Sequence, residues 1–403
     1  IMPSLVGSEM CIRDRYMISS GSISGWEVCM MLYEQGVLEP SGSAYEGLSS
    51  GRMSAYDFMI NAITEKTITP AQLALEPCSG SAVVADPDTG ELLALVSYPG
   101  YDNNRLSGTV DKDYYEQLRN DKAKPLINKA TSLRTAPGSI FKPCSAITGL
   151  EQGVISTGES IVCTGQYTAV TPSPKCWIYP RSHGAENVST AIRDSCNVFF
   201  YTVGHRLGME SGGTYNSTKG TDLLKNYAEQ LGLATKSGVE IYEMDPHPSD
   251  RDAVASAIGQ GTHAYSAINL CRYVSTLATS GVCHDFTLVS KITDYNGNVI
   301  RENEPVVSNT MNVSSSTWNA VHQGMRLVIE NTASFKGLPY QAAGKSGTAQ
   351  ENTNKADHIT FISYAPYDNP EVAVSVLIPN GYASSNAAKL TSDIYKIYWG
   401  LDK

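Results

Sequence analysis

With 403 residues, the chain is long enough for one large domain or for two or three ordinary ones. Hydrophobic residues make up 41% of it and charged residues 17%, enough for a sizeable core and too little charge for a disordered chain. Lysine and arginine number 30 against 40 aspartates and glutamates, a net charge of −10, opposite to the balance of a protein that binds nucleic acid by neutralising phosphates.

No window holds the run of about eighteen apolar residues that a membrane span needs. Residues 1–15 (IMPSLVGSEMCIRDR) lack the basic and apolar regions of a signal peptide and resemble a translated sequencing adapter. They are expected to be a non-native leader, with any membrane anchor lying upstream of this chain. The nine cysteines are an odd set for a disulfide framework. They fit a reducing niche, a metal site or buried thiols.

In chain order, 22–38 and 54–65 read as short helices, with Gly42, Gly47 and Gly51 interrupting the stretch between them. Thr69 and Pro70 have the chemistry of a helix start. Residues 81–85 and 92–97 are short Val, Leu and Ala runs around Asp86-Pro87-Asp88-Thr89-Gly90, a hairpin pattern. Residues 102–128 are polar, irregular or partly helical. Ala136-Pro137-Gly138-Ser139 opens a helix to Gln152, ended by Gly153. A turn-rich stretch, 156–187, precedes helices at 188–195, 198–207, 221–232, 265–280 and 316–331. Three strands follow at 344–350, 359–365 and 372–378, then an amphipathic helix at 387–399. Short links between consecutive strands favour antiparallel pairing. The pattern predicts an α+β fold: one antiparallel sheet flanked by helices, with an inserted all-helical subdomain.

Three stretches carry chemistry. Ser139 and Lys142, at i and i+3 on a helix, share a face, and a neutral lysine amine can activate a serine hydroxyl. Ser195 and Asn197 flank Cys196, so a hydroxyl and an amide can face one cleft. Lys345-Ser346-Gly347-Thr348 opens a strand with an ammonium and two hydroxyls around a glycine that permits close approach. Taken singly, each has a plain structural counterpart: an N-cap serine with a solvated lysine, a helix terminus, and an edge strand guarded by a lysine.

As an ordered set, they resemble the Ser-x-x-Lys, Ser-Asp-Asn and Lys-Thr-Gly motifs of the serine acyl-transfer enzymes that react with penicillin. Cys196 stands for the Asp and Ser346 for the Thr. The likeness extends to SAVVADPDTGELLALVSYPGY at 81–101, PLINKATSLRTAPGSIFKP at 125–143, HGAENVSTAIRDSCNVFFY at 183–201 and AIGQG at 257–261. Over roughly 69–403, the chain resembles a class B penicillin-binding protein, of the elongation and sporulation types of clostridia-like bacteria.

The resemblance implies a peptidoglycan DD-transpeptidase domain at 79–403. It implies that 16–78 is the remnant of a non-catalytic pedestal, and that the enzyme is anchored at the extracytoplasmic face of the membrane. Ser139 would attack the D-Ala-D-Ala carbonyl and Lys142 would be the base. Ser195 would relay a proton to the leaving amine, and Asn197 would orient Lys142. Lys345, Ser346 and Thr348 would hold the terminal carboxylate beside Gly347. Backbone N–H groups of Ser139 and Thr348 would form the oxyanion hole. No cofactor is needed for this chemistry. The partners implied are stem peptides, β-lactams and a cell-wall synthesis complex with a glycosyltransferase, not nucleic acid.

Cys163, Cys176, His183 and Cys196 offer three thiolates and an imidazole, a structural zinc set with loose spacing. A Cys163–Cys176 disulfide and buried free thiols compete with that reading. Two other functions on the same fold compete with transpeptidation: a serine β-lactamase, which needs a base for the deacylating water, and a non-enzymatic β-lactam sensor. Glu210, Glu229, Glu240 and Glu243 have no setting that marks such a base.

Overall fold

The computed structural model describes residues 22–65, 67–68, 79–349, 356–381 and 383–401. The helix start at Thr69 and Pro70 and the leader at 1–15 lie outside these. The chain divides into two compact units, 1–78 with 120–124, and 79–119 with 125–403.

The first unit contains α1 (Gly25–Glu34), α2 (Gly42–Ser49) and α3 (Ala55–Thr64). Ser24 caps α1 in a reciprocal capping box with Glu27, and Ser54 caps α3 through the N–H of Asp57. Val28, Cys29, Leu32 and Tyr33 of α1 pack with Leu48 of α2 and Phe58 and Ala62 of α3. The glycines that read as interruptions belong to α2 or follow it: Gly42 opens it at φ +88°, Gly47 lies within it and Gly51 comes just after it at φ +73°.

The second unit is built on one sheet of five strands. β1 (Gly80–Ala85) and β2 (Leu92–Tyr98) form the hairpin read from the sequence. A helix, α4 (Lys112–Asn120), and a short one, α5 (Lys129–Ser132), precede the Ser139 segment. There the chain takes a 3₁₀ turn at Gly138–Phe141 and then α6 (Lys142–Glu151), with Pro143 in its first turn, where its missing N–H is harmless. β3 (Ile161–Cys163) pairs with β4 (Gly184–Glu186). Then come α7 (Val188–Arg193), α8 (Asn197–Gly208), α9 (Ser217–Gln230), α10 (Ala253–Ser256) and α11 (Ala267–Ala278). β5 (Val282–His284) pairs with β8 (Val307–Thr310), and between them β6 (Lys291–Thr293) pairs with β7 (Val299–Glu302). α12 (Ser315–Glu330) leads to β9 (Ala343–Ala349), β10 (His358–Ala365), β11 (Val372–Ile378) and α13 (Ser384–Tyr398).

The sheet order is β2-β1-β11-β10-β9, and every pair in it is antiparallel. The long segment between β2 and β9 is mainly helical and also carries the three short ribbons. Side chains alternate across the sheet, as the strand period of two requires. Val83, Ala85, Ile362, Tyr364, Ala373 and Leu377 face the core that holds α11, of which every residue is buried. Ala82, Val84, Phe361, Val374 and Val376 face the opposite core, which holds Ala387, Ala388 and Tyr395 of α13. Burying each large apolar side chain contributes about 1.5–3 kcal/mol, so two cores hold the sheet that carries β9.

Candidate active site

The Ser139 turn is wedged between two backbones. Gly138 has φ +56°, and a Cβ there would run into the carbonyl of Thr348. Gly138 also donates its N–H to Gly259 O at 3.0 Å. Opposite it on β9, a Cβ on Gly347 would strike Thr360 Oγ1 and, at 2.6 Å, Pro137 O. Glycine at 138 and 347 therefore lets the serine turn lie directly against β9.

α7 and α8 meet in a Schellman turn: Cys196 N donates to Ala191 O at 3.0 Å and Ser195 N to Ile192 O at 3.3 Å. Its left-handed position, normally a glycine, is Ser195 at φ 53°. The Ser195–Asn197 stretch is thus a helix terminus and cleft-facing at once. Lys142 Nζ donates to Ser195 O at 2.7 Å, Ser195 Oγ at 3.1 Å and Asn197 Oδ1 at 2.7 Å. Lys345 Nζ donates to the same Ser195 Oγ at 3.3 Å and to Ser346 O at 3.0 Å. One hydroxyl oxygen thus lies within reach of two amines. All three hydrogen-bond contacts of Lys142 Nζ go to the Ser195–Asn197 stretch, and Ser139 Oγ is not among its partners.

Both lysines are buried. Burial holds Lys142 well below the ordinary lysine range, and the charge of Lys345 pushes it lower still. Burial brings Lys345 down to about 7. β9 is an edge strand, but a buried Lys345 cannot be an exposed guard against edge pairing.

Ser139, Ser195, Asn197, Lys345, Ser346 and Thr348 line one cleft of about 860 Å³. Trp177, Arg193, Asp194 and Gln260 also line it. The sequence reading missed Trp177, Arg193 and Asp194 as cleft residues. Arg193 grips Asp194 with two bonds, at 2.8 and 2.6 Å, and Trp177 Nε1 donates to Asp194 O at 3.0 Å. No periodic signal marks a tryptophan in a turn-rich loop as part of a cleft.

Behind Ser195, the ligand atoms of Cys163, Cys176, His183 and Cys196 all lie within 4.8 Å of one another. His183 Nδ1 is 3.5 Å from Cys163 Sγ and 3.6 Å from Cys176 Sγ. All seven described cysteines are free, so Cys163 and Cys176 form no disulfide; their sulfurs converge on the imidazole instead. Tetrahedral bonds of zinc length would separate such atoms by about 3.6–3.8 Å. Asn197 N donates to Cys176 Sγ at 3.3 Å. A hydrogen bond from Cys196 brings the Cys176 thiol down to about 4, and the same bond pushes Cys196 up. The donor set fits a structural zinc: three sulfurs, one already favoured as thiolate, and one ring nitrogen. His183 Nε2 is buried without a partner among the described residues.

A family model, the penicillin binding protein transpeptidase domain, matches residues 80–396, and the chain belongs to this family. The chain is 29% identical over 362 residues to the peptidoglycan D,D-transpeptidase MrdA of Haemophilus influenzae, covering 80% of this chain and 53% of the relative. Among solved structures it is similar to Pseudomonas aeruginosa PBP2 in complex with WCK 5153, at TM-score 0.70 and 26% identity, over 81% of this chain and 74% of that one. It is also similar to a chain of a peptidoglycan synthase complex described as coordinating polymerization and crosslinking. There the TM-score is 0.71 and the identity 26%, over 81% of this chain and 56% of the other. The chain spans about half the length of the curated relatives it matches, 51–53% for the first three.

Proposed function

We propose that the chain is the catalytic part of a class B peptidoglycan DD-transpeptidase, of the elongation or sporulation type of a clostridia-like bacterium. In this reading, residues 79–403 are the transpeptidase domain, 16–78 the end of a non-catalytic pedestal and 1–15 a non-native leader. It works at the extracytoplasmic face of the membrane, within a complex that also polymerises glycan. The observation that carries the reading is the pair of buried amines, Lys142 and Lys345, meeting on Ser195 Oγ in the cleft that Ser139 lines.

In the mechanism we infer, neutral Lys142 takes the Ser139 hydroxyl proton as Oγ attacks the penultimate D-alanine carbonyl. Backbone N–H groups of Ser139 and Thr348 receive the oxyanion, an effect worth about 2.7–4 kcal/mol per donor in other enzymes. Lys345, Ser346 and Thr348 hold the terminal carboxylate, with Gly347 keeping the strand close to the turn. The proton passes from Lys142 through Ser195 Oγ to the departing D-alanine amine, and Asn197 Oδ1 keeps Lys142 aimed. A second stem peptide's amine then attacks the Ser139 ester and restores the hydroxyl. A β-lactam enters as the donor mimic and stays on Ser139. Cys163, Cys176, His183 and Cys196 would hold a structural zinc, which would tie the 156–187 loop to Ser195 without entering the chemistry.

The test is acylation by a labelled penicillin, together with cross-linking of a pentapeptide donor to an amine acceptor. Wild type should do both, and Ser139→Ala should do neither. Rapid turnover of the penicilloyl-enzyme would identify a β-lactamase instead. Stable acylation with no transfer would identify a sensor.

A further inference from the structure

A second cavity, of about 580 Å³, opens beside the reaction cleft. The two share Ile258 and Gln260 as a common wall. That wall is the turn whose Gly259 carbonyl holds the N–H of Gly138, next to Ser139. The donor's carboxylate groups are assigned above to β9, a different element, so the second cavity lies on the other side of the 258–260 turn from the reaction cleft.

Its lining is mostly apolar, with Thr171, Ser217 and Gln260 as neutral polar members. Tyr201, Tyr215, Pro172 and Pro174 supply ring surfaces, and Asp252 is the one charged side chain in it. Asp252 sits in a left-handed backbone, φ 56°, and is exposed. Its Oδ1 caps Ala255 N at 3.0 Å, and no other hydrogen bond is made to its carboxylate among the described residues. An aliphatic chain ending in an ammonium matches this surface: ring faces for the methylenes, and one carboxylate for the charge.

We infer that this cavity is the acceptor subsite, which takes the amine-bearing residue of the second stem peptide. The inference rests on the transpeptidase reading and adds where its second substrate lies. Asp252 draws the ammonium to the cavity, and the chain then advances past Gln260 to the Ser139 ester. The ammonium first gives one proton to water. As its lone pair forms the C–N bond, a second N–H proton passes through Lys142 to Ser139 Oγ, whose bond to the acyl carbon breaks.

The test variant is Asp252→Asn, because asparagine both caps a helix and tolerates a left-handed backbone. With a pentapeptide donor and an amine-terminated acceptor at low salt, its KM for the acceptor should rise about two- to five-fold. Its penicillin acylation rate and Tm should match wild type. Added salt should raise the acceptor KM of wild type and leave that of the variant nearly flat. Asp252→Ser, which also keeps a capping oxygen, should behave the same way. A wild type that transfers to the acceptor while the variants keep its KM and salt dependence overturns the subsite alone. A wild type that acylates and transfers to no amine overturns the transpeptidase reading, and the subsite with it.

Discussion

Ser195 occupies a backbone position where a side chain is a burden, and its hydroxyl bridges Lys142 and Lys345. A left-handed conformation costs a non-glycine residue about 1–2 kcal/mol. Glycine removes both the burden and the hydroxyl, whereas alanine removes the hydroxyl alone. Ser195→Gly should therefore melt above Ser195→Ala, while both acylate with penicillin at least about tenfold more slowly than wild type. Equal melting temperatures would show that the turn is unstrained. Lys345 gives a pH prediction. Its folded pKa, about 7, lies below the unfolded value of about 10.4. Below pH 7 both states hold the proton, and the buried charge destabilises the fold in full. As the pH rises from about 7 to 10, the unfolded chain binds more protons than the folded one, so the penalty is relieved. Lys345→Met should thus raise Tm most below pH 7, with the gain shrinking toward pH 10. Thermal melts across that range check it, and a gain independent of pH would contradict it.

Among the elements, the contact of the Ser139 turn with β9 depends on glycine. Gly138→Ala sets a Cβ against the Thr348 carbonyl and requires a left-handed alanine. It should lower Tm and slow penicillin acylation at least about tenfold, because a displacement near 1 Å can cost about 10²-fold in rate. Calorimetry and stopped-flow labelling read the two effects, and an unchanged acylation rate would mean the turn need not touch the strand. The longer elements were legible for a local reason. β10 and β11 have long apolar runs, and α11 has helical apolar spacing, so period and length identify them. Ribbons of three and four residues, such as β5 with β8 and β6 with β7, contain too little of a period to be read. In the 42–51 stretch, glycines flanking a helix were indistinguishable by sequence from glycines that break one.

In the second unit as a whole, the sheet closes only when β1, near its start, pairs with β11, near its end, with Ser81 opposite Leu377. The segment between these strands carries Ser139, Ser195 and the cysteine cluster, so their geometry depends on long-range closure. The cluster is a second tie, since Cys196 and Asn197 are neighbours and Asn197 holds Lys142. Purified protein should carry about one zinc per chain. Removal by a strong chelator should lower Tm and slow penicillin acylation, and restored zinc should recover both. Metal-free protein with full acylation would leave the four residues as a thiol cluster without metal.

The sequence alone was enough to identify the hairpin, the long helices and the three chemical stretches, because each depends on residues within a few positions of one another. It also named the four members of the sulfur and imidazole set, though not whether they would pair, bind or stand apart. Tertiary structure decided that Lys345 reaches the oxygen Lys142 holds, 150 residues apart in the chain (345 − 195). It decided that Trp177 lines the cleft, that the sulfurs converge on His183, and that a serine takes glycine's backbone. Each of these is a contact between distant segments, set by how two cores pack a five-stranded sheet, and no local pattern of residues encodes such a distance.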